Sequence, residues 1–280
     1  MTACLIALDW GTTNLRAYLV GGGGAILDRR ASAEGILNVP PGGFPDAFAR
    51  AIAGWPGLPA LMAGMVGARQ GWVEVPYLEV PAGLPALAAA LHPAPGGVAR
   101  IVPGLCRRAD PPDVMRGEEV QVLGIGGDGA FCLPGTHSKW VMVEGGRIVD
   151  LASHMTGEVF DVLRRHSILG RMMVDGHDEA AFAAGVARSG QPGGLLNHIF
   201  GARAGVLLEV LPAAGAASFL SGVLIGHELR AAPALPITLV GAGPLCDLYE
   251  RALALLGRGC RRAGEEASVA GLWKIWEVLR

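Results

Sequence analysis

Two turns built from glycine and hydroxyl residues, each between two apolar runs, constrain the fold of this chain more than any other feature. The first lies in the string LDWGTTNLRAYLV and the second in LPGTHSKWVMV. Gly11 and Thr12 match Gly135 and Thr136, and in both places a Gly-Gly pair follows ten residues after the first glycine. Each stretch predicts a β-meander of three strands. Two meanders with one turn chemistry indicate an internal duplication; two unrelated hairpins are the alternative.

Strand-like runs alternate with amphipathic helical patterns, which predicts an α/β fold of two similarly built domains. A length of 280 residues is enough for two domains. We expect the boundary in the loop CRRADPP, with an N-terminal domain over 1–108 and a C-terminal domain over 109–280. The apolar stretch 211–226 is short of the about 18 residues that a membrane span needs, so a buried helix is predicted there.

Composition argues against several classes of partner. Charged residues make up 17% of the chain and the net charge is −2, so there is no electrostatic reason to expect nucleic acid or a membrane surface as a partner. The five cysteines never form a C-x-x-C pair, and the histidines lack ligand spacing. No basic signal-peptide start is present, so a cytoplasmic location is expected. The oligomeric state stays open, a homodimer included.

The first turn is suited to a metal-bound phosphate. Gly11, Thr12, Thr13 and Asn14 offer backbone N–H groups and hydroxyls around a small concavity, which favours an anion. A bare carboxylate at Asp9 would repel phosphate unless a divalent cation lies between them, so Asp9 is a candidate Mg²⁺ ligand. The alternative is an aspartate that only hydrogen-bonds the turn behind it.

The second turn repeats these donors without the acid. Gly135, Thr136, His137 and Ser138 form it. Two such turns from opposite domains are predicted to hold one polyphosphate and its metal. A polar hairpin tip in water is the alternative.

A third glycine site follows a predicted strand, in ITLVGAGPL. Gly241, Ala242 and Gly243 lead into a helix opened by Pro244, so the backbone can lie flat against a base or sugar. An ordinary strand-to-helix turn is the alternative. The string GIGGDG formally fits a dinucleotide-binding fingerprint, but it leads from a helix into a strand and is therefore rejected.

The strings DWGTTNLR, GTHSKW and LVGAGPL, in this order, resemble the phosphate-1, phosphate-2 and adenosine elements of the sugar kinase, Hsp70 and actin superfamily. The longer strings GMVGARQGWVEVPYLEVPA and MTGEVFDVLRRHSILG are similar to the 2-dehydro-3-deoxygalactonokinase family. The resemblance runs from Leu5 to about Gly257. It implies two ribonuclease-H-like domains with an interdomain cleft, and phosphorylation of the 6-hydroxyl of 2-dehydro-3-deoxy-D-galactonate by ATP with Mg²⁺.

The resemblance also suggests where the acceptor hydroxyl is activated. Related sugar kinases carry an aspartate at the start of the helix before the phosphate-2 hairpin, and this sequence has RGEEV there. Glu118 matches that position best and Glu119 is next. Either would orient or deprotonate the hydroxyl. The alternative is an acidic first helical turn favoured by the helix dipole.

A sugar acid needs a cation for its carboxylate and hydrogen-bonding groups for its hydroxyls. The string GARQGW supplies Arg69, Gln70 and Trp72, Arg116 is a second candidate cation, and Asn38 a neighbouring polar contact. A surface arginine and a core-packed tryptophan are the alternatives. A kinase for another sugar or sugar acid, or a non-catalytic actin-like or regulatory module, remains the rival function.

Overall fold

The computed structural model describes residues 2–264 and 266–280. The chain forms two compact units, one of Met1–Phe131, Val141–Ala152 and Ala263–Arg280, the other of Cys132–Trp140 and Ser153–Arg262. Both units are discontinuous in sequence, so they do not test a boundary drawn at one point of the chain. The boundary after residue 108 stays a prediction.

Strands and helices alternate along the described residues. The strands are β1 (Ala3–Trp10), β2 (Leu15–Gly21), β3 (Ile26–Ser32), β4 (Ala60–Ala63), β5 (Leu78–Glu79), β6 (Ala82–Gly83), β7 (His92–Pro93), β8 (Arg100–Ile101), β9 (Leu105–Arg107), β10 (Asp113–Met115), β11 (Gly129–Leu133), β12 (Ser138–Glu144), β13 (Arg147–His154), β14 (Ile237–Val240) and β15 (Cys260–Ala263). The α-helices are α1 (Phe44–Ala51), α2 (Leu84–Ala89), α3 (Glu118–Ile125), α4 (Thr156–His166), α5 (Glu179–Arg188), α6 (Gly194–Leu207), α7 (Ala216–Ala231), α8 (Pro244–Leu255) and α9 (Ala267–Val278).

Both predicted β-meanders are confirmed. The first sheet has the order β3-β2-β1-β4-β8-β7, and β1, β2 and β3 are joined as antiparallel neighbours. Another sheet has the order β15-β14-β11-β12-β13-β6, in which β11, β12 and β13 are again neighbours in chain order. A short sheet, β10-β9-β5, completes the set. The predicted α/β class is confirmed by this architecture.

The register of the first sheet decides what lies beside the first turn. Asp9 near the end of β1 is opposite Arg16 of β2 in the antiparallel pair. On its other side β1 pairs in parallel with β4, where Asp9 is opposite Ala63. Because parallel strands end at the same edge of a sheet, the residue after β4, Gly64, comes next to Asp9.

The helix predicted over 211–226 is present, but it lies five residues further along the chain. The stretch predicted as a buried helix corresponds to α7, most of whose residues are buried. Among residues 2–264 and 266–280, no helix combines the length and apolarity that crossing a bilayer requires. Helix α3 ends at Ile125 and strand β11 begins at Gly129, so the rejected GIGGDG string does run from helix to strand.

The C-terminal helix α9 belongs to the first unit, where it packs against α3 and β1. Its buried residues include Leu272, Trp273 and Ile275. The core beneath the first sheet contains Leu8, Trp10 and Met62. In the second unit, Leu220 and Leu224 of α7 pack with Leu169 and Ala202.

Candidate active site

Asp9 is a largely buried carboxylate in the first unit. Its side chain is 16% exposed, and Oδ2 accepts a 2.9 Å hydrogen bond from the Ser268 hydroxyl of α9. A guanidinium nitrogen of Arg16 is 4.0 Å from the same oxygen. Burial raises the pKa of Asp9, while the Ser268 hydrogen bond and the Arg16 charge oppose that shift. Sequence reasoning did not identify Ser268, since it lies 259 residues from Asp9.

The turn from Gly11 to Asn14 is anchored through its carbonyl groups. Gly11 N–H donates to Asn14 O at 2.9 Å, and the carbonyls of Gly11, Thr12 and Thr13 accept N–H groups of residues 35–37 at 3.0 to 3.1 Å. The side chains of Thr12, Thr13 and Asn14 are exposed. The turn is therefore held from one side with its hydroxyls open to a ligand.

Asn38, a predicted substrate contact, braces this turn. Its side-chain amide donates to Ala33 O at 2.7 Å and to Thr13 O at 3.4 Å. Because the Asn38 amide nitrogen donates to carbonyl groups of this loop, its contacts in this structure stabilise the turn.

Two glycines bring the end of β1 close to the start of α3. Gly64 has φ +93° and ψ −156°, a backbone conformation that is essentially restricted to glycine. A Cβ atom there would lie 2.8 Å from Trp10 O and 3.5 Å from Asp9 Oδ1. A Cβ atom on Gly117, the N-cap of α3, would lie 3.1 Å from Gly64 Cα. Backbone without a side chain therefore separates Asp9 from the acidic first turn of α3.

The two glutamates of that turn have different surroundings. Glu118 is partly exposed, and its Oε2 accepts the Arg116 backbone N–H at 2.9 Å. Glu119 is 0% exposed, and its two oxygens accept the Gly117 N–H at 2.9 and 2.8 Å. Burial, followed by the Glu118 charge, raises the pKa of Glu119 to about 8. Glu119 thus closes the helix start, and Glu118 is the more accessible carboxylate.

Arg116 is 8% exposed and sits inside the first unit. Its Nη2 donates to Val75 O at 2.7 Å, and the guanidinium lies 4.3 Å from the centre of the Tyr77 ring. Within the described part of the chain, its buried Nε and Nη1 atoms have no hydrogen-bond partner. A ligand could reach these nitrogens only if neighbouring atoms moved.

The GARQGW segment divides into exposed and packed residues. Arg69 and Gln70 are exposed. The Trp72 ring is stacked on Phe44 with centroids 6.2 Å apart, and it also contacts Phe48 and Trp10. The contacts of Trp72 are thus those of the core-packed alternative.

In the second unit, the Gly135–Ser138 hairpin lies against the first turn of α4. Thr136 and His137 are exposed. Thr136 O accepts the Glu158 N–H at 2.9 Å, and the His137 ring is hydrogen-bonded to the Glu158 carboxylate. A helix N-terminus favours negative charge, so this position is compatible with the predicted phosphate role of the hairpin, which stays a prediction.

Ser138 and Thr156 are both engaged inside this unit. Ser138 is 0% exposed, and its hydroxyl lies 2.7 Å from the Tyr249 hydroxyl. A threonine directly before the amphipathic run GEVFDVLRRH predicts Thr156 as the N-cap of α4, but Met155 occupies that position. The Thr156 hydroxyl donates instead to Glu228.

The third glycine site has the predicted strand-to-helix form. Strand β14 ends at Val240, and α8 begins at Pro244. Gly241 has φ +121°, a value that L side chains rarely adopt, and Ala242 and Gly243 are exposed.

A cavity of about 230 Å³ in the second unit connects two of the predicted elements. Gly135 of the hairpin lines it together with Leu245 and Tyr249 of α8, the helix that follows the third glycine site. Phe160 and Leu224 add apolar wall. Apolar walls with a few polar groups are typical of small-ligand sites.

The 2-keto-3-deoxy-galactonokinase family matches residues 9–275. The chain is 39% identical over 298 residues to a Rhizobium meliloti (strain 1021) protein named "Probable 2-dehydro-3-deoxygalactonokinase DgoK1", with 96% of this chain and 97% of the relative covered. It is 36% identical over 288 residues to the 2-dehydro-3-deoxygalactonokinase of Escherichia coli (strain K12), with 98% of each covered.

Solved structures are also similar to this chain. A Sinorhizobium meliloti protein crystallised under the same enzyme name has a TM-score of 0.90 and 39% identity, with 98% of this chain and 99% of that one covered. Xylulose kinase from Lactobacillus acidophilus has a TM-score of 0.53 at 8% identity, covering 98% of this chain and 89% of that one. The fold is that of the sugar kinases and actin-like ATPases, as expected. The chain belongs to the 2-keto-3-deoxy-galactonokinase family.

Proposed function

We propose that this chain transfers the γ-phosphoryl group of ATP to the 6-hydroxyl of 2-dehydro-3-deoxy-D-galactonate. The relatives named for this activity match over nearly the full length, which supports the proposal. One observation carries it within the structure. The Gly64 backbone lies beside both Asp9, a carboxylate suited to a metal-bound phosphate, and Gly117, at the helix start that bears Glu118.

Asp9 is the residue that would hold Mg²⁺, directly or through water. In the described part of the chain, no group of three or more His, Cys, Asp or Glu residues could form a metal cage. That fits Mg²⁺, which usually keeps several waters and takes one or two carboxylates plus substrate phosphates. When bound, Mg²⁺ would neutralise charge on the phosphates. Ser268 fixes one oxygen of Asp9 through its 2.9 Å hydrogen bond.

We assign one phosphate role to Gly11, Thr12, Thr13 and Asn14. Their carbonyls are occupied by loop contacts, and their exposed side chains stay available as donors.

We assign the other phosphate role to the second unit, through Gly135, Thr136 and His137. Ser138 supports this hairpin through Tyr249. The nucleoside is assigned to the 230 Å³ cavity and to the neighbouring Gly241–Gly243 turn.

Glu118 is our candidate for orienting and deprotonating the acceptor hydroxyl. A general base must come within hydrogen-bond reach of the proton that it removes, and Glu118 is the more exposed of the pair. Glu119 has both oxygens on Gly117 N–H and acts by holding the helix start.

For the carboxylate of the sugar acid we favour Arg69, with Gln70 beside it, because both are exposed. Arg116 and Asn38 are used in contacts within the first unit and would act by supporting the site. Trp72 would shape the loop through its packing.

We further propose a cytoplasmic location, which the five free cysteines support. The homodimer stays a prediction that light scattering on purified protein would test.

The decisive experiment is coupled ADP release with a panel of 2-keto-3-deoxy acids and neutral sugars. We expect the highest kcat/KM with 2-dehydro-3-deoxy-D-galactonate and dependence on Mg²⁺. A clear preference for another acid would transfer the proposal to that acid. ADP release that no acceptor stimulates would overturn it in favour of an actin-like or regulatory nucleotide-dependent module.

A further inference from the structure

We propose that Glu228, a buried carboxylate of α7, is a positioning residue that holds the phosphate-binding hairpin and the first turn of α4 in the arrangement that binds ATP. The inference rests on the proposed function and adds a residue to it. Neither the turn chemistry nor the resemblance pointed to Glu228.

Glu228 gathers donors from three separate elements. It is 3% exposed. Its Oε1 accepts the Trp140 indole N–H of β12 at 2.9 Å. Its Oε2 accepts the Tyr249 hydroxyl of α8 at 2.6 Å and also the Thr156 hydroxyl at the start of α4. Three hydrogen bonds to one carboxyl group tie the three elements together.

The hydrogen-bond network continues from Glu228 through Tyr249 to the hairpin. Burial, and then the Glu228 charge, raise the pKa of Tyr249 above its usual range, so the phenol keeps its proton. Tyr249 donates that proton to Glu228, which leaves its oxygen to accept from the Ser138 hydroxyl 2.7 Å away. Ser138 is the last residue of the Gly135–Ser138 turn.

The same groups form part of the wall of the 230 Å³ cavity. Thr156 and Tyr249 line that cavity together with Gly135, whereas Glu228 is absent from its lining. Glu228 therefore acts on a cavity ligand through Thr156 and Tyr249. Without the carboxylate, the buried Trp140 indole N–H and Tyr249 hydroxyl and the partly buried Thr156 hydroxyl would need new partners, and the hairpin and α4 would shift to find them.

The test compares four variants with wild type by calorimetric titration of MgATP and by steady-state kinetics. Glu228→Ala removes the acceptor. Glu228→Gln keeps an oxygen for Trp140 and offers an amide N–H₂ to hydroxyl oxygens that can rotate to accept it. Tyr249→Phe keeps the ring in the cavity wall and deletes the hydroxyl. Ser189→Ala is the matched control, because Ser189 is a buried hydroxyl bonded to Val186 and Arg230 in the same unit, away from the hairpin.

We expect Glu228→Ala to raise the Kd and KM for ATP by on the order of 10- to 100-fold, the effect of displacing binding groups by about 1 Å. The KM for the sugar acid should change far less. Glu228→Gln should restore most of the ATP affinity, and Tyr249→Phe should weaken it in the same direction as Glu228→Ala. Ser189→Ala should lower the Tm and leave ATP affinity unchanged.

Wild-type ATP affinity in Glu228→Ala would overturn the inference. Equal increases in the KM for ATP and the KM for the sugar acid would also overturn it. Should Glu228→Ala fail to fold, the ATP affinity of Tyr249→Phe decides. Calorimetry needs no acceptor, so the two proposals fail separately. A wild type that phosphorylates no sugar acid refutes the activity, whereas ATP affinity that ignores Glu228 refutes the positioning role alone.

Discussion

Replacing Gly64 by alanine tests whether the glycine contact beside Asp9 holds the candidate site together. The new Cβ atom would lie 2.8 Å from Trp10 O, which is backbone and cannot rotate away. The chain or the strand end must therefore move by about half an ångström to restore an ordinary contact. Asp9, whose Oδ1 is 3.5 Å from the same Cβ position, would move or be crowded.

Two costs add at this position. The φ of +93° with ψ of −156° costs a non-glycine residue about 1 to 3 kcal/mol. Overpacking against backbone adds about 1 to 3 kcal/mol. At roughly 2 to 4 °C per kcal/mol, the Tm should fall by at least about 4 °C. A displacement of this size at a reacting group should lower kcat/KM by roughly 10- to 100-fold.

Calorimetric unfolding and coupled ADP release measure the two effects. Gly54→Ala is the matched control, because Gly54 has φ +78° and no atom within 4 Å of its Cβ position. It should cost about 1 kcal/mol through backbone strain alone and leave kcat/KM unchanged. A Gly64→Ala enzyme with the kcat/KM of Gly54→Ala would refute the spacing argument.

Three further substitutions test single groups. The pKa of Glu119 is raised to about 8, so its contribution to stability is full below its unfolded value near 4.5 and is lost as pH rises through 8. Glu119→Gln should flatten the fall of the unfolding free energy from pH 5 to 8 and be the more stable protein by up to several kcal/mol at pH 8. Parallel stability curves for the two proteins would contradict the assignment. Ser268→Ala removes a hydrogen bond that lowers the pKa of Asp9, so the acid limb of the kcat/KM profile should move to higher pH. An unmoved limb would count against Asp9 acting as an ionised group. Within the described residues, the buried Trp276 Nε1 has no hydrogen-bond partner. Trp276→Phe should therefore leave the free energy of unfolding unchanged or raise it by up to about 1 kcal/mol. A loss above about 2 kcal/mol in urea titrations would show that the indole contributes through packing.

Much of the fold could be read from local patterns. The turn residues and apolar runs predicted both meanders. Helical patterns over 179–187, 195–211 and 245–256 predicted α5, α6 and α8, with the largest error, four residues, at the end of α6. The order of helix α3 and strand β11 was enough to reject the dinucleotide fingerprint. These features depend on backbone preferences and on side-chain periodicity over a few residues, which the sequence states directly.

The candidate site was predicted less completely. Its turn residues were predicted, but which of the surrounding side chains are accessible and which are buried was not. Which glutamate is accessible depends on how deeply α3 is packed, and the contacts of Trp72 depend on which aromatic rings surround it. Neither burial nor ring packing leaves a local pattern.

Other groups at the site became visible only in three dimensions. Ser268 reaches Asp9 because the C-terminal helix packs on β1. Glu228 accepts a hydrogen bond from Trp140, which lies 88 residues away in the sequence. Local chemistry decides which segments become strands, turns and helices. The packing of apolar faces decides which polar groups are left to meet, because each buried donor or acceptor must then find a partner wherever the chain brings one.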